Sequence, residues 1–363
     1  HGYSAAQTEQ ALLRCLTQCQ RLGATPELLP TLFGLWQSNI IRGRVWRARD
    51  YVTQILQQGS HAPGSDADLA AKLMQQVTCV FLGELVAARQ HAETLLGHYQ
   101  RDRHQRLTYL YGVDFEVMSR AHLGHSLWLL GEETQAAAQY HKALDCARAL
   151  GHPYSLSFAL YGLIVFYQSH EDSAAVRHYL IALRALAEQH GYRHTVVQCD
   201  FMDGWVLAKQ GQLTAGLALM QRTIATRRRT GAMLSLTYLL AVIAEIQLAS
   251  GQPDSALATV QDAQALIAES GERAFAASVL RVYGEILIRR SRGAWVDFPV
   301  DNGPDDLLLR SLDIARSQSA GLAELRSVLS LCQLWKAQGN AEEARRLLKK
   351  TLDRYHGTLH PSD

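Results

Sequence analysis

Residues Val117 to Pro153 read VMSRAHLGHSLWLLGEETQAAAQYHKALDCARALGHP. Apolar residues recur at helical spacing in two runs, Val117, Ala121, Leu123, Gly124 and Leu127, then Ala136, Tyr140, Ala143, Leu144 and Ala147. Two amphipathic helices with one break between them make a helical hairpin. Gly131 supplies the break and Gly151 ends the second helix, because glycine enters the left-handed conformation without a Cβ penalty. Ala136, five residues after Gly131, is small enough to let the second helix lie close to the first.

The same order returns in Gly211, Gly216 and Gly231, and again in Gly251, Ala256 and Gly271, while closing glycines fall at 151, 191, 231 and 271. Looser copies carry Gly43 with Ala48, Gly83 with Ala88, and Gly339 with Ala344. One copy has SHED (Ser169 to Asp172) in place of a turn glycine and is expected to keep the pattern through Ala175 and Ala182. A forty-residue period fits two helices of four to five turns and two short turns. A hairpin cannot bury its own apolar face, so neighbours must stack. The expected fold is an all-α, right-handed superhelical solenoid of about eight to nine hairpins, one domain over residues 1–363. Two irregularities interrupt it, near 100–115 and 292–305. Inserted loops tend to share one face of a solenoid, and such faces often bind.

The 363 residues are 48% hydrophobic and carry a net charge of +2, from 36 basic and 34 acidic residues. No global field attracts nucleic acid or an anionic membrane. Basic runs at Arg227 to Arg229, Arg289 with Arg290, and Arg345 to Lys350 are read as solvated faces near helix ends. Six scattered cysteines without a C-x-x-C pair suit small helical core positions in a reducing cytosol. No stretch reads as a membrane span or a signal peptide. The chain starts without Met, inside a helix, and is read as an excerpt of a longer protein.

Three blocks carry a family resemblance: RLGATPELLPTLFGLWQSNIIRGRVWRARDYVTQIL (Arg21 to Leu56), YGVDFEVMSRAHLGHSLWLLGEETQA (Tyr111 to Ala136) and GWVLAKQGQLTAGLALMQ (Gly204 to Gln221). The sequence resembles tetratricopeptide-repeat (TPR) tails of multidomain bacterial STAND-type signalling ATPases, whose output module is a winged-helix DNA-binding domain or an adenylate/guanylate cyclase. The resemblance implies a sensor domain in signal transduction and transcription regulation: the tail receives a small-molecule inducer or a protein or peptide partner, and an upstream ATPase module converts that into output. A stand-alone TPR scaffold for protein–protein contacts is the alternative. An RNA- or DNA-binding repeat would need a basic groove.

Catalytic equipment is missing from the sequence. There is no phosphate loop, no dinucleotide fingerprint and no nucleophile elbow, since GHSLW at Gly124 ends in tryptophan. His122 and His125, or His190 and His194, lack the Cys, Asp or Glu that would complete a metal set. No cofactor is expected, and no enzymatic activity in this chain. Counting from the turn glycines, as the TPR resemblance implies, points His125, Trp128, Ile164, Tyr167, Phe201, Trp205, Tyr238, Glu245, Arg281 and Glu285 towards a concave groove. The binding set expected is His125, Tyr167, Trp205, Tyr238, Glu245, Arg281 and Glu285. Tyr167, Trp205, Tyr238 and Glu245 are expected to share one cleft, and Trp205→Ala is expected to leave the chain folded.

Overall fold

A computed structural model describes residues 2–23, 26–58, 62–291 and 303–355. Among them are nineteen α-helices and no strand. Helix α1 (Ala6–Leu22) packs on the first of eight hairpins. These are α2 (Leu28–Ile41) with α3 (Val45–Gln57), α4 (Asp66–Leu82) with α5 (Leu85–His98), and, after the short α6 (Arg101–His104) and α7 (Leu107–Tyr111), α8 (Phe115–Leu130) with α9 (Glu133–Leu150). Then follow α10 (Pro153–Ser169) with α11 (Ser173–His190), α12 (Arg193–Lys209) with α13 (Leu213–Thr230), and α14 (Leu236–Ala249) with α15 (Pro253–Ser270). The last pairs are α16 (Ala276–Arg290) with α17 (Pro304–Ser317) and α18 (Gly321–Ala337) with α19 (Ala341–Tyr355). The hairpins stack as a right-handed superhelical solenoid.

Each hairpin whose turn is among the described residues turns on a residue in the left-handed region, followed five positions later by a buried one. Ala48, Ala88, Ala136 and Ala256 have no exposed surface. At Gly216 the approach is closer still: a Cβ there would stand 2.5 Å from the carbonyl oxygen of Gly204. The SHED turn obeys the same geometry with different residues. Glu171 takes the left-handed conformation (φ 58°) in place of glycine. The buried small position is therefore Val176, while Ala175 is half-buried and Ala182 exposed, contrary to the sequence reading.

The superhelix is wound so tightly that successive turns touch. Leu234 N–H donates to the Ile41 carbonyl at 3.1 Å, and Arg273 N–H to the Phe81 carbonyl at 2.8 Å. Gly131 lies against the backbone of Gly321 and Leu322, and α8 contacts α18. Trp46 covers Gly271, and the Arg273 guanidinium stands 5.3 Å from the Trp46 ring centroid. The hairpin turns of early repeats thus seat on loops that enter first helices of later repeats. An axial channel is enclosed where an open groove was expected.

The irregularity at 100–115 packs inward. Tyr111 is buried with its ring 4.6 Å from Phe33 and 5.0 Å from Phe115, while Tyr109 and Leu110 are its exposed large apolar residues and its polar side chains from Gln100 to Arg103 face solvent. Its buried residues Leu107, Tyr111, Val113 and Phe115 pack into the N-terminal core, and its exposed side faces solvent. Residues 292–302 of the second irregularity lie outside the described residues. All six cysteines are free thiols; Cys19 and Cys199 are buried and Cys15 is exposed.

Candidate functional site: the axial channel

The first helices of successive hairpins wall the channel, in a fixed register. Met118, Phe158, Gln198 and Tyr238 hold one inward position, and His125, Val165, Trp205 and Glu245 another, each set back equally from its left-handed turn residue. An aromatic septum divides the channel. Tyr238 and Phe275 lie 4.7 Å apart between ring centroids, and Trp128 is 6.3 Å from both. The Tyr238 hydroxyl donates to Gln168 Oε1, which fixes the ring across the bore. Burial raises the Tyr238 phenol above its usual range, so it stays a hydrogen-bond donor at neutral pH.

On the C-terminal side of the septum lies a chamber of about 510 Å³ built from α8, α10, α12, α14, α16 and α18. Its centre is the Arg281 guanidinium, which donates to Glu285 Oε1 at 2.8 Å and to Glu245 Oε1. Ser330 Oγ donates to the same Glu285 oxygen at 2.5 Å. Burial alone would lower the Arg281 pKa; the two carboxylates reverse that and hold it above its ordinary value. Arg326, which donates to the Ser169 carbonyl at 3.3 Å, and Lys209, paired with Glu171 at 2.7 Å, add cations to the wall. The chamber therefore presents fixed charges of both signs beside Trp128 and Trp205.

On the N-terminal side lies a chamber of about 190 Å³ with a mostly apolar lining that includes Trp36, Phe81, Met118, Phe158 and Phe275. His122 and His125 stand in this wall as neutral imidazoles; burial drives their pKa values down to about 3 and about 4. Arg227 completes the wall. Its Nε donates to the Ala232 carbonyl at 3.0 Å and its Nη2 to that of Leu234.

The seven residues expected to bind are distributed as follows. Trp205, Tyr238, Glu245, Arg281 and Glu285 line the C-terminal chamber, and His125 lines the N-terminal one. Tyr167 lies elsewhere: its ring stacks on Tyr179 at 5.7 Å and its hydroxyl meets His141 Nε2 at 3.1 Å, on the α9–α11 side. Ile164 and Phe201 are core residues between helices. Trp205 presents only an edge, being 1% exposed, so Trp205→Ala opens a core cavity and cannot serve as the clean groove probe that was expected. Arg227 was read as part of a solvated basic run. It is 4% exposed, in register with buried Met220, Thr223 and Ile224, whereas Arg228 and Arg229 face solvent. That register was the signal for it. Among the described residues no group of three or more His, Cys, Asp or Glu could hold a metal ion, and no helix is long and apolar enough to cross a membrane.

The tetratricopeptide-repeat family pattern matches residues 325–350, which cover most of α18 and part of α19. Across the whole chain, a Rap protein complexed with competence and sporulation factor superposes with a TM-score of 0.66 at 9% identity, covering 97% of this chain and 92% of the other. The fold is a TPR-like solenoid. The apo form of RapI aligns over 98% of this TPR-like chain and 95% of its own (11% identity, TM-score 0.47). Aspartyl phosphate phosphatase F from Bacillus subtilis aligns over 91% and 94% (13% identity, TM-score 0.43). No curated protein matches the TPR-like chain significantly.

Proposed function

We propose that this TPR-like solenoid is a regulatory sensing module that takes a ligand or a partner segment into its axial channel. The observation that carries the reading is the C-terminal chamber: six first helices converge on Arg281, whose two carboxylates, with Arg326 and Lys209 beside them, offer fixed charge to a polar guest. Such a wall suits a peptide or a small polar inducer. The Rap protein of like fold, complexed with competence and sporulation factor, supports reading the channel as a binding site.

The resemblance of the Arg21–Leu56, Tyr111–Ala136 and Gly204–Gln221 blocks supports a finer reading. The module is then one continuous sensor domain attached to a STAND-type ATPase that controls transcription or cyclic-nucleotide synthesis in the bacterial cytoplasm. Free cysteines suit that reducing compartment. Sequencing the open reading frame tests this part, and a parent gene without an upstream phosphate loop ends it. For the channel itself the test is Glu245→Gln, which keeps shape but removes one of the two carboxylates on Arg281. A guest found by thermal-shift screening that binds the wild type and the variant alike removes the C-terminal chamber from the site. At a hundred times its dissociation constant such a guest adds about 2.7 kcal/mol to stability.

A further inference from the structure

The N-terminal chamber differs in chemistry from the charged one. Its volume of about 190 Å³ far exceeds the ~10–15 Å³ that one water requires. Three polar atoms of its lining, Gln37 Oε1, His125 Nε2 and the Tyr140 hydroxyl, are buried without a hydrogen-bond partner. Gln37 is 5% exposed and Tyr140 is 1% exposed. An unpaired polar group in an apolar setting costs about 1–3 kcal/mol, so three in one chamber point to a guest that pairs with them.

The chamber also holds a cation with no carboxylate in ion-pair contact. Arg227 takes part in none of the ion pairs among the described residues; its Nε and Nη2 donate to neutral carbonyls, and its side chain also meets the Tyr161 phenol. The nearby carboxyl, Glu272, is 1% exposed and accepts the Ser235 N–H at 3.1 Å. Burial raises its pKa to about 7, so near neutral pH it carries only part of a charge against Arg227. A guanidinium with no carboxylate in contact, in an aromatic-lined chamber, selects a planar anion, because a carboxylate meets its fork of N–H donors.

We propose that the N-terminal chamber binds a small aromatic carboxylate, its carboxylate on Arg227, its ring among Phe81, Phe158 and Tyr161, and a ring hydroxyl or N–H on Gln37, His125 and Tyr140. The proposal rests on the reading of the axial channel as a binding site but needs no parent ATPase. Exposed His194, also in the lining, marks where the chamber meets solvent.

The test uses the wild-type chain and titrates 4-hydroxybenzoate, 4-hydroxyphenylacetate and indole-3-acetate by calorimetry, each against its neutral amide. At least one acid is expected to bind at least about tenfold tighter than its amide, a difference of about 1.4 kcal/mol. Photolabelling with 4-azidobenzoate is expected to mark α10, α12 or the 232–238 segment. Ala121→Leu, which fills the chamber and leaves Arg227 in place, is expected to abolish binding, and Arg227→Lys to weaken it about tenfold. Amides binding as well as acids, labels outside the chamber, or no binding by any acid at millimolar concentration overturns the proposal. An aromatic acid whose affinity falls in Glu245→Gln but not in Ala121→Leu would refute the chamber assignment and leave the sensing reading standing.

Discussion

The Arg273 N–H donates to the carbonyl of Phe81 at 2.8 Å, joining the loop before α16 to the last turn of α4. Ala274 N–H reaches the same carbonyl at 3.3 Å. Beside this bridge Trp46 lies over Gly271, where an added Cβ would fall 2.0 Å from the indole nitrogen. The seam between superhelical turns is closed by backbone hydrogen bonds and one aromatic lid.

Gly271→Ala therefore carries two costs, while Gly251→Ala carries one. Both glycines are left-handed (φ 73° and 77°), but nothing lies within 4 Å of a Cβ at Gly251. The backbone cost is about 1–2 kcal/mol in each. Displacing Trp46 adds about 1–3 kcal/mol at Gly271. Urea denaturation should show this excess, and it should vanish when both substitutions are made in a Trp46→Ala chain.

The pH profile of stability should respond to Glu272. Its carboxyl titrates at about 7 when folded and near 4.5 when unfolded, so the folded state holds the extra proton. Stability from that proton is complete below pH 4.5 and lost as pH rises through 7, at up to about 1.4 kcal/mol per unit. His122 and His125 act oppositely, since they resist protonation when folded and cost stability below about pH 6.5. Comparison with Glu272→Gln cancels the histidines. The variant should gain on the wild type between pH 5 and pH 7, then hold a constant difference; a flat difference across that range refutes the assignment.

Glu245→Gln should change sign with its background. In the wild type it removes a partner of buried Arg281 and destabilises. In an Arg281→Ala chain, itself about 3 kcal/mol less stable, Glu245 and Glu285 face each other without a cation, so the same substitution should stabilise. A double-mutant cycle by chemical denaturation reads both signs.

Gly216→Ala and Gly97→Ala should also differ in sign. Both lie within helices, where alanine gains up to about 1 kcal/mol over glycine. At Gly97 nothing lies within 4 Å and the gain should appear. At Gly216 the Gly204 carbonyl at 2.5 Å reverses it, for a net loss of about 2 kcal/mol in thermal or urea denaturation.

The hairpins were legible in the sequence because a turn residue and a small residue five positions on are local signals. Tyr167 was misplaced because SHED offered no glycine to count from; with Glu171 as the left-handed residue, Val165 and Gln168 face the channel and Tyr167 does not. Arg227 was misread because a run of three arginines looks like a surface, although its spacing from Ile224 and Thr223 continues the buried stripe of α13. The seam left no trace at all. It joins positions far apart along the chain, and backbone carbonyls such as that of Phe81 carry no residue identity to read.

That seam also changes how the molecule comes apart. In an ordinary solenoid each repeat touches only its neighbours, so stability adds along one dimension and unfolding starts freely from either end. Here Ile41 is tied to Leu234, Phe81 to Arg273, and Gly131 to Leu322, so the repeats form a sheet-like lattice rolled into a tube. Fraying of the first hairpins removes support from the middle ones. The array accordingly melts as one cooperative unit over most of its length, and a guest inside the channel leaves only through an end or when that lattice opens.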